Sequence, residues 1–275
     1  MHRVRSTDGV TVAVHDLGGS GPPLVLAHAT GFCAGAWRPV AAHLARRWHC
    51  WGVDLRGHGH SDAPAGLDWS WRGFADDLAA VVDALGPAEP VGGVGHSSGA
   101  TALLLAAAAS PSRFRALWCY EPIAWSDPSA ARARAEGLAA GALHRRPAFA
   151  SRAEAEASYR SKPPMSAFHP DALAGYLDCG FEDLPDGTVA LRCRPEVEAA
   201  VYRQGVAPET FGRLAGVACP VTVARGTASE AVSAEMAAAQ VAALPRGTGV
   251  ELAGLGHFGP FSDPAAVAAG VLTAL

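Results

Sequence analysis

Residues 91–109 read VGGVGHSSGATALLLAAAA, and the order of chemical types in this stretch decides the architecture. Val91 to His96 is a short run of apolar and small residues, with the length of a buried strand. Ser98 to Ala109 is an apolar segment of helix length. Between them Gly95-His96-Ser97-Ser98-Gly99 forms a GxSxG pentapeptide, which in a chain with 31 glycines is weak evidence by itself. Its context makes it specific, because a strand, a tight turn and a helix follow one another without a gap. The small glycines permit a strained turn that lifts the Ser97 hydroxyl above the sheet edge, with a helix N-terminus beneath it. Ser97 is the candidate nucleophile, and Ser98 is not.

Outward from this stretch, short apolar runs alternate with helix-length segments, the signature of βαβ units and a parallel sheet. Strands are expected at Leu24 to His28, His49 to Asp54 and Arg115 to Glu121, with helices at Ala36 to Arg46 and about Trp69 to Leu85. After Trp125 the pattern breaks into Ala-, Arg- and Pro-rich text with helical stretches such as Ala130 to Leu143 and no convincing buried strand. Alternation resumes with a strand at Val221 to Arg225, a helix at Ser229 to Leu244, a strand at Gly249 to Leu252 and a closing helix at Pro264 to Leu275. The expected class is α/β: a mostly parallel twisted sheet with helices on both faces and an inserted helical cap. Residues 1–124 and 217–275 form the core in this reading, and 125–216 the cap.

Composition bounds the function. The chain has 275 residues, 49% of them hydrophobic, which supplies a core and excludes disordered and disulfide-stapled classes. Lys and Arg total 22 against 26 Asp and Glu, so there is no basic field to hold nucleic acid or an anionic membrane. The longest apolar stretch, Ala100 to Ala109, falls short of the ~20 residues that span a bilayer. The N-terminus has early positive charge but no apolar region behind it, so a cytoplasmic address is the expectation. Cys33, Cys50, Cys119, Cys179, Cys193 and Cys219 form no CxxC pair and read as buried, reduced thiols. No cofactor and no metal are expected; the expected partner is a small-molecule substrate, and the chain is expected to be a monomer or homodimer.

With these motifs in place the chain resembles the α/β-hydrolase family over both core segments. Leu26-Ala27-His28-Ala29-Thr30-Gly31-Phe32 resembles the family's His-Gly oxyanion loop, with Trp37 in the usual position. Asp54-Leu55-Arg56-Gly57-His58-Gly59-His60-Ser61 matches its DxRGHGxS turn. Ala29 departs from the usual glycine. The resemblance implies the α/β-hydrolase fold and an oxyanion hole made by the backbone N–H groups of Thr30 and Ser98, which suit the task because they are fixed and dry. It gives His28 a loop-ordering role. Asp54, Arg56 and His58 read as a turn held by its own polar side chains, outside the site.

The general base must be a histidine, which can take the serine proton and return it near neutral pH. Eleven histidines compete. His257 is chosen because Gly254-Leu255-Gly256-His257-Phe258-Gly259-Pro260 lies between the last strand and the last helix, as the family order Ser, acid, His requires. Two positions fit the acid. Glu230 is the first choice, since Gly226-Thr227-Ala228-Ser229-Glu230 resembles the Gly-x-x-Ser-Asp segment of family members. Glu121, in Tyr120-Glu121-Pro122, is the alternative, at a place from which some relatives supply their acid.

A serine at the elbow disfavours the epoxide-hydrolase and haloalkane-dehalogenase branches, which attack with aspartate. Cleavage of an ester, thioester, lactone or amide through an acyl-enzyme remains. Phe32, Trp125 and Tyr159 are the candidate substrate-binding residues, within a wider set of cap apolar side chains that includes Leu138, Leu143, Phe149, Met165, Phe168, Tyr176 and Phe181. An apolar acyl group is the expectation. From Arg132 to Lys162 the cap has seven basic and three acidic residues, and from Pro163 to Arg203 three basic and seven acidic. The halves pair with each other in the simpler reading; in the sharper one Arg145 or Arg146 reads a substrate carboxylate. Two alternatives to hydrolysis stay open. One is a lyase, C–C hydrolase or cyclase of a biosynthetic intermediate using the same triad, and the other is a non-catalytic ligand-binding protein on the same fold.

Overall fold

The computed structural model describes residues 1–86, 88–204 and 209–275. Its main sheet has eight strands: β1 (His2–Arg5), β2 (Thr11–Asp16), β3 (Pro23–Ala27), β4 (His49–Asp54), β5 (Val91–His96), β6 (Phe114–Tyr120), β10 (Val221–Gly226) and β11 (Gly247–Leu252). They lie in the order β1-β2-β4-β3-β5-β6-β10-β11. From β4 to β11 neighbouring strands are parallel, and β1 and β2 add an antiparallel hairpin at one edge. That hairpin has no apolar-run signature, because β1 is mostly exposed and carries Arg3 and Arg5. The family resemblance had implied this sheet, and the alternation of runs locates its parallel strands to within about two residues.

Helices cover both faces. On one, α1 (Arg38–Leu44) and α11 (Pro264–Ala274) bury Val40, Leu44, Val267 and Val271 against Trp48, Trp118 and the strands β3 and β5. On the other, α2 (Trp71–Leu85), α3 (Ser98–Ala109) and α9 (Ala234–Ala243) pack over a second core. α2 shows why periodicity works, since Trp71, Phe74, Ala75, Leu78, Val81 and Val82 are buried at three- and four-residue spacing. α3 is apolar all round because it is buried all round, from Ser98 to Ala107.

The expected helix at Ser229 to Leu244 begins later, at Ala234. Residues 229–233 are instead a loop whose Ser229 hydroxyl is engaged elsewhere, and Ser233 caps the helix by accepting from the Met236 N–H.

Between β6 and β10 the chain leaves the sheet. This segment carries α4 (Pro128–Leu143), α5 (Arg152–Arg160), α6 (Pro170–Gly180), α7 (Pro195–Gln204) and α8 (Glu209–Gly212). It also carries strands, contrary to the sequence reading. β7 (Ala148–Phe149), β8 (Phe181–Asp183) and β9 (Val189–Leu191) form a three-stranded antiparallel sheet in the order β7-β9-β8. Strands of two and three residues are too short to show a period of two.

Most of the aromatics of this segment belong to a core cluster apart from the two beside the main sheet. Phe149, Met165, Phe168, Tyr176 and Phe181 are buried together with Phe32 and Phe261. The Phe32 ring lies 4.8 Å from Phe261, 5.3 Å from Tyr176 and 5.8 Å from Phe168, centroid to centroid. The two oppositely charged halves of the segment meet in ion pairs, Arg152 with Asp183 at 3.0 Å, Arg203 with Glu136 at 3.3 Å, and Arg145 with Glu198.

Candidate active site

Ser97 sits between β5 and α3 with φ +53° and ψ −115°. A non-glycine residue at positive φ is strained, by roughly 1–3 kcal/mol, and here the turn on either side leaves it no alternative. A side chain on Gly95 would meet the Ala100 backbone at 2.4 Å, and one on Gly99 would meet the Ala27 carbonyl oxygen at 2.3 Å. The two glycines of the motif therefore let α3 start directly against β5 and β3. The Ser97 N–H donates to the Tyr120 carbonyl at 2.9 Å, and its own carbonyl accepts from the Thr101 N–H at 3.0 Å, so both sides of the turn are tied down.

His257 lies beyond β11 in a turn ahead of the short helix α10 (Gly259–Ser262). Tyr120 Oη donates to the Gly256 carbonyl at 2.7 Å and the Ala228 N–H donates to the Leu255 carbonyl at 2.9 Å, pinning this turn to β6 and to the loop after β10. His257 Nδ1 lies 2.6 Å from Glu121 Oε2. The carboxylate is fully buried and the histidine side chain 21% exposed.

Glu121 also accepts from the Gly226 N–H at 2.9 Å and the Ser229 Oγ–H at 2.7 Å. With these two donors fixed on it, the carboxylate is placed to accept the imidazole Nδ1–H, which turns Nε2 away from it. Glu121 too has a positive φ, +47°. Among the described residues the non-glycines at positive φ are Asp8, Ser97 and Glu121, so two of the three strained positions belong to this constellation.

This arrangement corrects the first choice of acid. Glu230 is exposed, and it lines the rim of the cavity beside Ala231 while its backbone carbonyl accepts from Arg134 at 3.2 Å. The reason lies in register. β6 and β10 are parallel neighbours with Tyr120 opposite Ala224, so the residue just past β6 comes out beside Gly226 and Ser229. Glu230 stands farther along the loop.

Ser97 and His257 share a cavity of about 330 Å³ with Thr30, and its walls are mostly apolar: Ile123, Trp125, Leu138, Phe258 and several alanines. Thr30 follows β3 and is buried. Ser98 opens α3, where first-turn N–H groups have no intrahelical acceptor.

His28 orders the loop as the resemblance implied. Its Nδ1–H donates to the Ala29 carbonyl at 2.8 Å, and its Nε2 accepts from the Leu55 N–H at 3.0 Å. That pattern needs a neutral ring, and burial, with the neighbouring His58 adding to it, pushes its pKa down to about 3. His96 is likewise held neutral by burial and by the His257 ring 4.8 Å away.

Of the three expected substrate-binding residues, Trp125 lines the cavity. Phe32 does not, because it is buried in the aromatic cluster that joins the loop after β3 to the segment between β6 and β10. Tyr159 does not either; it lines a separate depression with His144 and Met165, and its hydroxyl accepts from Arg145 at 3.1 Å. Arg145 is spent inside the cap on Glu198, Tyr159 and Tyr176, and Arg146 on exposed Glu154, so neither reads a ligand in this cavity.

Cavity residues not singled out from the sequence include Ile123 after β6, Ala131, Arg134 and Ala135 on α4, Tyr202 on α7 and Ala231 after β10. The α4 set, with Leu138, has helical spacing, but alanine is so abundant here that the face does not stand out.

A family model described as alpha/beta hydrolase fold matches residues 22–264. A 2-(acetamidomethylene)succinate hydrolase of Mesorhizobium japonicum is 27% identical over 219 residues, which is 78% of this chain and 74% of that protein. Among solved structures, an E-2-(acetamidomethylene)succinate hydrolase superposes with a TM-score of 0.87 at 24% identity, over 99% of this chain and 97% of the other. A thioesterase domain from the curacin biosynthetic pathway gives 0.78 at 23% identity, over 99% of both chains. At these identities the two structures speak to the fold alone.

Proposed function

The chain belongs to the α/β-hydrolase fold family, and from that premise we propose that it is a serine hydrolase cleaving an ester, thioester or lactone of a largely apolar small molecule through an acyl-enzyme on Ser97. The observation that carries the reading is the bond of His257 Nδ1 to buried Glu121, 2.6 Å long, beside a strained serine in one apolar cavity.

In the first half-reaction His257 Nε2 takes the Ser97 proton as Oγ bonds to the acyl carbon. The bond to the leaving group breaks, and His257 hands that group its proton. In the second, water gives a proton to His257 and attacks the acyl-enzyme, releasing the acid and restoring the serine. Glu121 holds the ring in the tautomer that points its basic nitrogen away from the carboxylate and offsets the imidazolium charge. The N–H groups of Thr30 and Ser98 would hold the developing oxyanion, an effect worth about 3–4 kcal/mol per donor in acyl transfer.

The cavity wall supports the substrate class. A dicarboxylate such as the succinate named for the Mesorhizobium relative calls for cations, and here Arg134 stands at the wall with Glu230 close by. Apolar side chains make up the rest apart from Thr30, Tyr202 and the catalytic pair.

The expected outcome is turnover of short- and medium-chain activated esters well above turnover of 2-(acetamidomethylene)succinate. Ser97→Ala should lose at least about 10⁴-fold in kcat and all labelling by a fluorophosphonate probe. Undiminished ester turnover in that variant overturns the assignment.

A further inference from the structure

A second carboxylate–histidine constellation lies at the ends of β2 and β4, and the proposed reaction makes no use of it. Asp54, the last residue of β4, is fully buried, and its Oδ2 lies 2.7 Å from His15 Nε2 on β2 and 3.6 Å from His60 Nδ1 in the following turn. The three donor atoms all fall within 4.8 Å of one another. His60 Nδ1 is shielded from solvent and has no hydrogen-bond partner among the described residues. An imidazole nitrogen left unpaired beside a buried carboxylate costs free energy unless something else fills the gap.

We propose that His15, Asp54 and His60 form a binding site for a divalent metal ion of the zinc class. Two imidazole nitrogens and one carboxylate oxygen suit Zn²⁺, Co²⁺ or Ni²⁺ and are too few hard oxygens for Ca²⁺ or Mg²⁺. Bonds of about 2.0–2.1 Å in a tetrahedron set donors roughly 3.3 Å apart, so the His15–Asp54 contact must open by about half an ångström and the histidines draw together. The His15 and His60 side chains are 15% and 27% exposed, and in the proposed site a water takes the fourth position.

The carboxylate is already aimed. Its Oδ1 accepts from the Ala34 N–H at 2.7 Å and its Oδ2 from the His60 N–H at 2.9 Å, the kind of outer-shell support that orients a ligand. On binding, the metal replaces the proton shared by His15 Nε2 and Asp54 Oδ2, and that proton leaves to solvent or moves to Nδ1. The sequence hides the site because its ligands come from two strands and a turn, with His15 and Asp54 39 residues apart.

The test is calorimetric titration of the metal-stripped full chain with zinc chloride. One saturable equivalent is expected in the parent, accompanied by a rise in Tm. His15→Gln and His60→Gln should each weaken binding by more than about 100-fold, beyond what losing an outer-shell partner costs. His257→Gln and Cys179→Ser, which alter the other histidine–carboxylate pair and a buried thiol near Asp54, should bind as the parent does. Circular dichroism on each variant establishes that the fold is kept. Absence of a saturable equivalent, unchanged affinity in both His15→Gln and His60→Gln, or loss of the equivalent in His257→Gln overturns the proposal.

Discussion

Two buried carboxylates, Glu121 and Asp54, each follow or close a strand of the same sheet and each hold a histidine, at 2.6 Å and 2.7 Å. As pairs they are nearly equivalent, and neither distance nor burial tells them apart. Their surroundings differ. Beside Glu121 stands a serine on a strained turn, facing an apolar cavity. Beside Asp54 stands a second histidine with an unpaired nitrogen, and backbone donors rather than a cavity. A carboxylate–imidazole pair is thus a component whose use depends on the third group: beside a hydroxyl it suits the proposed activation of Ser97, and beside another imidazole it suits the proposed metal site.

The largest test of this distinction lies at Glu121. Glu121→Gln keeps the shape but turns an amide N–H₂ toward one of three donors, so kcat for an activated ester should fall by about 10³-fold, while Glu230→Gln should stay within about twofold. Equal losses in the two variants break the contrast between buried acid and rim residue.

Next is Asp54→Ala, which strands the N–H groups of Ala34 and His60 and should cost about 3 kcal/mol of unfolding free energy in urea titrations. A loss below about 1 kcal/mol means the turn does not depend on that carboxylate.

The smallest effect comes from pH and sharpens what the two regions share. His28 lies between them, neutral and fully buried, with its pKa down at about 3. A histidine depressed in the folded state binds fewer protons there than when unfolded, so its stabilisation is complete above about pH 6.5 and lost as pH falls toward 3. At pH 5 this amounts to about 2 kcal/mol for His28. His58 and His96, also lowered by burial, act with the same sign, whereas His15, raised by Asp54 against its burial, partly opposes them. Unfolding midpoints at pH 7.5, 6 and 5 should therefore fall steadily, and a flat profile refutes the neutral-histidine arrangement.

What could be read in the chain followed the range of the interaction concerned. Ser97 is singled out by five contiguous residues and His257 by a glycine-rich loop between a strand and a helix, both local patterns, and the two residues line one cavity. The helix α2 was legible because its buried face repeats every turn. The carboxylate partner was not, because Glu121 and Ser229 are 108 residues apart and become neighbours only through the pairing of β6 with β10. Both loops offered a glutamate, and nothing local states which one enters the core. The segment between β6 and β10 was legible in its helices and illegible in its short strands and as a pocket wall. Most of its large aromatics pack with Phe32, whereas Trp125, Tyr202 and one face of α4 line the cavity. Size signals burial and says little about which side of a helix is left open.

The position of Phe32 bears on how this molecule can be re-engineered. It lies two residues beyond Thr30, and its ring is gripped by Phe168 and Tyr176 of the segment between β6 and β10 and by Phe261 beyond β11. That segment and the loop after β3 are therefore not separable modules. A replacement segment taken from a relative would arrive without its matching aromatic socket and would loosen the loop that carries Thr30. Grafting has to carry residues 29–33 together with the segment as one exchanged unit.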